Sequence, residues 1–148
     1  MRIAYMTGEY PRATDTFIQR EIAELRKTGV HVETFSVRVP AHKENVGAEQ
    51  TAEKANTFYV LPPRAMELVR AHGSFMFKSP ARWFGALKLA ITTRPQGFKP
   101  LALQFAYFAE AALVARRMRA RGLQHLHNHF ADSSCSVAMI AAHLGGFA

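Results

Sequence analysis

The hydrophobic positions of the chain form first a short unbroken run, Ile3 to Met6, then a spacing of three and four residues, then an alternation. The run reads as a buried strand, and Thr7-Gly8-Glu9-Tyr10-Pro11 ends it as a loop. Ile18, Ile22 and Leu25 share one face of a helix, with a Thr-x-x-Gln capping box at Thr16 to Gln19 and Gly29 at its C-terminal stop. Val30 to Val37 alternates through Val30, Val32, Phe35 and Val37 as a second strand. Strand, helix and strand over this length make a βαβ unit, which closes right-handed and leaves its strands parallel.

Pro40 to Asn56 is polar with little periodicity and reads as a surface excursion with at most a short helical turn. Thr57 to Leu61 is a third strand. Pro62-Pro63 opens a helix to about His72, and a second helix starts near Pro80 with Trp83, Phe84, Leu87 and Ile91 on one face. A longer helix from Lys99 to about Arg121 carries Leu101, Phe105, Phe108, Ala112 and Ala115 at helical spacing, ends in a solvated cluster of arginines and stops at Gly122. Gln124 to Asn128 is a fourth strand, Asp132 or Ser133 caps the last helix, and Gly145-Gly146 ends it. The expected fold is α/β: a mostly parallel, Rossmann-like sheet with helices on both faces, in one domain over residues 1–148. The pattern calls for a fifth strand after Ala148. The sequence therefore reads as truncated, with an unpaired edge near Leu126 and an incompletely covered helix bearing Val137, Ile140, Ala141 and Leu144, and with self-association as the consequence.

Composition narrows this picture. With 148 residues, 49% of them hydrophobic, the chain can build one core of its own. Its apolar stretches fall short of the ~20 residues that a membrane-crossing helix needs, and the start of the chain lacks a secretory pattern. A single cysteine, Cys135, reads as an inert thiol packed on the last helix, which suits a reducing compartment and a cytoplasmic protein. The net charge is +8, and Leu68 to Ala131 holds ten Lys and Arg against one acid, Glu110. Such a field attracts nucleic acid, anionic lipid or sugar nucleotide alike. Aromatic and cationic residues interleave from Phe75 to Lys88, a pattern shared by membrane-surface helices, base-stacking surfaces and plain core, of which core is favoured.

The loop from Gly8 to Thr16 leads from a parallel strand to a helix N-terminus, where doubly wound sheets bind ligands and free amides favour a diphosphate. A plain βα connection fits it equally, and one glycine is too few for a dinucleotide fingerprint. His125, His127 and His129 alternate, which raises a metal site. On an extended strand their ends stand about 13 Å apart, too far for one zinc ion, so no metal is expected. One or two of them instead point into a ligand crevice at the end of the fourth strand. His31, His42, His72 and His143 read as ordinary surface or helix residues.

Gly8-Glu9-Tyr10-Pro11, leading into Asp15-Thr16-Phe17-Ile18-Gln19-Arg20-Glu21-Ile22, resembles the first βα turn of family-four glycosyltransferases, bacterial exopolysaccharide and colanic-acid types above all. His125-Leu126-His127-Asn128-His129-Phe130-Ala131 resembles the His-x-His-Phe segment after a later strand of the same domain. The resemblance covers the chain, although between Pro40 and Pro100 by architecture alone. It implies the acceptor-side half of a two-Rossmann-domain (GT-B) enzyme that transfers a sugar with retention, needs no metal or other cofactor, and sits in the cytoplasm or peripherally at the inner membrane. The nucleotide-sugar donor, bound mainly by the other domain, and a glycan or lipid-linked acceptor are the implied partners. An anionic membrane surface is a further one, and nucleic acid is not expected. Gly8, Glu9 and Tyr10 would line the cleft near the phosphates, Thr16 and Phe17 would offer amides and dipole, and His127 or His129 would border it. Arg20 and Glu21 either face acceptor hydroxyls or pair on the helix surface, and the surface is favoured. The family's His-Gly motif is expected after the fifth strand, just beyond Ala148, and its glutamates seven residues apart in the second domain, so residues 1–148 alone are expected to transfer no sugar. A non-catalytic basic module for anionic lipid or nucleic acid, built on the same fold, is the alternative.

Overall fold

The computed structural model describes residues 1–41 and 47–148. Among them a four-stranded, all-parallel sheet in the order β3-β2-β1-β4 carries helices on both faces, a Rossmann-like α/β arrangement in a single domain. Its elements in chain order are β1 (Arg2–Glu9), α1 (Thr16–Lys27), β2 (His31–Arg38), α2 (Ala48–Asn56), β3 (Phe58–Tyr59), α3 (Ala65–Lys78), α4 (Pro80–Thr92), α5 (Phe98–Arg121), β4 (His125–Asn128) and α6 (Ser133–Gly145).

β1 lies between β2 and β4 and is buried on both sides from Ile3 to Gly8. Its side chains alternate between two cores, as strand geometry requires. Ile3 and Tyr5 join Ile18 and Ile22 of α1, whereas Ala4 and Met6 join the larger core made with α3 to α6. The apolar residues of β2 change parity midway: Val32 faces α1, but Phe35 and Val37 face the larger core. Their alternation is thus not one buried face but two, with Thr34 and Ser36 filling the α1 side and hydrogen-bonded there. β1 also runs further than its hydrophobic run suggests, because Thr7 and Glu9 still pair with Ser36 and Arg38.

Helix α1 begins where expected, but its N-cap is Asp15, not Thr16. No capping box forms, and the Gln19 amide donates to the Arg12 carbonyl at 3.0 Å. Gly29, at φ +84°, ends it, and the Val30 amide reaches back to the Leu25 carbonyl. Helix α2 replaces part of the expected surface excursion; residues 42–46, including His42, lie outside the described residues. No α2 side chain is buried, which is why the sequence gives it no apolar period. Glu53 ties it down by accepting from the Tyr10 hydroxyl at 3.1 Å and pairing with Arg26.

The face of α4 that meets the core carries Ala86 and Ala90 with Trp83 and Leu87, while Phe84 and Ile91 point outward. On α5 Phe105 is exposed, and Gln104 and Phe108 take the inner side. Two of the α5 arginines are engaged, not merely solvated: Arg119 donates to the Gly145 carbonyl over the Phe75 ring, and Arg121 binds Glu33 at 2.9 Å. Cys135 is exposed. Val137, Ile140, Ala141 and Leu144 are fully buried, and the Leu126 amide donates to the Ala148 carbonyl at 2.9 Å. The expected uncovered face of α6 is therefore corrected, whereas β4 is an edge strand of the sheet as expected, with its Leu126 amide taken by Ala148.

His72 is not an ordinary helix residue. It is wedged between Trp83 and Phe108 and accepts the Trp83 indole N–H at 3.1 Å through Nδ1. Burial pushes its pKa below the ordinary imidazole range, opposed by a hydrogen bond to the Ala109 backbone. The folded state thus binds the proton less readily than the unfolded chain. Its contribution to stability is present above the unfolded value of about 6.5 and fades as pH falls below it. Trp83→Phe, which strands Nδ1, should cost about 1 kcal/mol at neutral pH. His72→Leu should flatten the acid side of a Tm-against-pH curve, and an unchanged acid slope in that variant would refute this account.

Candidate functional site

The carboxyl ends of β1 and β4 form one rim, and the chain places ionisable side chains on its α1 side. In the parallel register Tyr5 stands opposite His127 and Met6 opposite Asn128. His127 therefore shares the α1 face with Tyr5, their ring centroids 4.7 Å apart. His129 lies one residue past the strand, and its amide donates to the Met6 carbonyl at 3.1 Å. Its ring packs 4.7 Å from that of His127 and 5.5 Å from that of Tyr5. Chain direction changes here: Phe130 holds φ +74°, a left-handed conformation that costs a bulky residue on the order of 1–2 kcal/mol. Asn128 braces this turn by donating to the Phe130 carbonyl at 2.8 Å. It is itself held by the buried Ser134 hydroxyl at 2.9 Å, next to Asp132, the N-cap of α6.

From the other side α1 contributes Phe17 and Glu21. Glu21 follows Ile18 by three residues and precedes Ile22, so it borders the buried face of the helix. Its Oε1 accepts the Tyr5 hydroxyl at 2.8 Å and its Oε2 lies 3.2 Å from His129 Nε2, which corrects the expectation that Glu21 pairs with Arg20 on the helix surface. His129 Nε2 is shielded from solvent but lacks a properly aligned hydrogen bond among the described residues. Phe17 meets His129 and Phe130 edge-on, with centroids 5.9 and 6.1 Å apart. The ligand atoms of Glu21, His127 and His129 all lie within 4.8 Å of one another, so among the described residues these three could hold a metal ion. The strand argument against three histidines on one ion stands, since His125 lies two residues back, opposite Ile3. A carboxylate from α1 takes the third place.

Burial, and after it the neighbouring His129, push His127 below the ordinary imidazole range, with Glu21 opposing and His125 adding to the effect. His127 is therefore neutral at pH 7 and able to accept a hydrogen bond. Burial, then the hydrogen bond to Glu21 and its charge, raise the Tyr5 phenol well above its usual range, so it stays a donor.

The residues singled out from the sequence do not form one cluster. Phe17, His127 and His129 come together, with Thr16 beside them at the first turn of α1. Gly8 faces the opposite side of the sheet, where a Cβ would stand 2.6 Å from Asp132 Oδ2; it makes room for the α6 cap. Glu9 ends β1, paired with Arg38. Tyr10 is 1% exposed, and its side chain does not line a cleft: the hydroxyl goes to Glu53, and its own carbonyl accepts from Tyr59 at 2.9 Å. An anion at the α1 N-terminus would meet the Asp15 carboxylate, which Arg12 pairs at 3.2 Å. Beyond β4 on the Gly8 side lies a recess of about 270 Å³ between α5 and the start of α6, bordered by Leu103, Gln104, Tyr107 and Asp132. Sequence reasoning missed Tyr5, whose place inside the buried run of β1 was a signal, and set Glu21 on the helix surface.

Comparison with known proteins adds no relative: no family model, no curated protein and no solved structure matches the chain. What the site can do rests on its own residues.

The electrostatic ordering is measurable. In an NMR titration His127 should titrate below the free-imidazole value of about 6.5, and Glu21→Gln should move it lower still, because the nearby carboxylate favours the charged ring. A His127 that titrates higher in Glu21→Gln would show that the charges do not meet as described.

Proposed function

We propose that this domain is the acceptor-side half of a retaining glycosyltransferase, and that the crevice at the ends of β1 and β4 binds a glycan or lipid-linked acceptor. One observation supports this reading above others. The two segments that resemble family-four glycosyltransferases, about a hundred residues apart in the chain, meet at Glu21 and His129 with 3.2 Å between Oε2 and Nε2. The chemistry suits a sugar. A neutral His127 and the Glu21 carboxylate accept from hydroxyls, and the half-exposed Phe17 and Phe130 rings offer apolar faces to a pyranose. These are binding and positioning roles. On this reading the nucleotide-sugar donor is held mainly by a second domain, so residues 1–148 alone transfer nothing.

A membrane-borne acceptor accords with the exposed aromatic and cationic residues of α3 to α5. No helix among the described residues is long and apolar enough to cross a membrane, yet Phe77 and Phe98 are 86% and 85% exposed, near Lys78 and Lys99 in sequence. Glu110, the single acid between Leu68 and Ala131, is buried, and burial raises its pKa, with Arg38 opposing. That stretch thus presents cations and aromatic rings to an anionic surface. At about 1 kcal/mol per cation near such a surface, the triple variant Lys78→Glu, Lys88→Glu, Lys99→Glu should weaken binding to phosphatidylglycerol vesicles at least a hundredfold at low salt. Equal binding of both proteins to neutral vesicles in high salt would sink the membrane reading.

For the acceptor itself, imidazole resonances of His127 and His129 should shift saturably with short glycans or glycosyl diphosphates carrying a truncated lipid tail. His129→Ala should weaken that binding about tenfold, the worth of one hydrogen bond. Shifts produced by free nucleotide but not by any glycan would overturn the acceptor assignment, and binding to lipid vesicles without any glycan response would favour the non-catalytic module.

A further inference from the structure

We infer that Glu21, His127 and His129 form a binding site for a divalent transition-metal ion of the zinc class. Residues from three parts of the fold build it: the second turn of α1, the strand β4 and the turn immediately after it. One ligand atom from each lies within 4.8 Å of the other two. Zinc bonds of 2.0–2.2 Å place ligand atoms about 3.3 Å apart. Glu21 Oε2 and His129 Nε2 already stand at 3.2 Å, so the third atom has to close by about 1.5 Å at most, within reach of a small side-chain rotation.

Three further observations point to an ion and not to an incidental cluster. His129 Nε2 is shielded from solvent and meets the Glu21 carboxylate at 3.2 Å without the alignment of a hydrogen bond. A shielded ring nitrogen facing a carboxylate oxygen without a formed hydrogen bond is an arrangement that coordination of both atoms to one ion would satisfy. The remaining oxygen of Glu21 accepts the Tyr5 hydroxyl at 2.8 Å, the outer hydrogen bond that fixes the orientation of ligating carboxylates. The His129 side is held by a braced turn: the left-handed Phe130, with the Asn128 side chain donating to its carbonyl. Strain of that kind persists where the surroundings impose it, and it often marks a functional site.

The donor set selects the ion. Two imidazoles and one carboxylate suit zinc, cobalt or ferrous iron, whereas magnesium and calcium prefer all-oxygen surroundings. Three protein ligands leave at least one coordination position for water or a ligand oxygen, the pattern of an open site. This inference stands on the cluster alone and does not depend on the acceptor reading; it departs from the metal-free behaviour that the family resemblance implies.

The experiment is a titration of the whole 148-residue chain with Co²⁺, followed by visible absorption, with Zn²⁺ as competitor. The expected result is one Co²⁺ per chain with the visible bands of a low-coordinate N/O site, lost on adding Zn²⁺. Glu21→Gln and His129→Asn should each remove those bands. Tyr5→Phe should weaken binding roughly tenfold or more, as loss of an outer hydrogen bond does. His31→Gln and His143→Gln, on exposed histidines away from the crevice, should leave it unchanged. Circular dichroism of each variant separates a lost ligand from a lost fold, and Tyr5→Phe with His129→Asn keeps the test decisive if Glu21→Gln unfolds. Binding of several ions without loss in either ligand variant, or no stoichiometric binding, would overturn the site. The glycan titration repeated in excess chelator reads the acceptor proposal separately, so either can fail without the other.

Discussion

A parallel sheet leaves neither face to water, and β1 is the strand on which that constraint acts most fully. It pairs on both edges and is buried on both sides, so each successive residue must satisfy a different core. Ala4 and Met6 admit α6 and α5 on one face; Ile3 and Tyr5 receive α1 on the other. Because β2 and β4 both run parallel to this strand, their carboxyl ends arrive at the same rim. That shared direction, more than any single contact, brings a helix near the start of the chain and a strand near its end to one crevice.

Much of the architecture could be read from the sequence because hydrophobic period and stop signals coincide in it. Gly29, Gly122 and Gly146 end helices in left-handed conformations, and Asp132 caps α6 by accepting from the Ser134 amide at 2.8 Å. Elements without an apolar period were not legible. α2 buries no side chain and is fixed by polar links through Glu53. On α4 small residues, Ala86 and Ala90, are the buried ones, since close approach to α6 excludes larger side chains, and the conspicuous Phe84 points outward.

The crevice was half legible for a related reason. The alternation of His125, His127 and His129 marks a strand face, and the structure keeps His127 and His129 together. Their partner is distant in sequence, and nothing in the spacing around Glu21 distinguishes it from Glu24, the solvated glutamate of the same helix. Conversely, Gly8 and Tyr10 stand out in the sequence for a structural cause: one admits the α6 cap and the other fills the α1 core and anchors α2. A residue can be singled out by its pattern and still serve only the scaffold.

The left-handed Phe130 sets two selective pressures against each other. Glycine or asparagine there would relax the backbone and raise folding stability. Either would also remove the ring that packs against Phe17 at the mouth of the crevice. Any screen that rewards thermal stability alone will therefore drift towards small residues at this position, and it will improve the scaffold by dismantling the aromatic pair beside its own histidines.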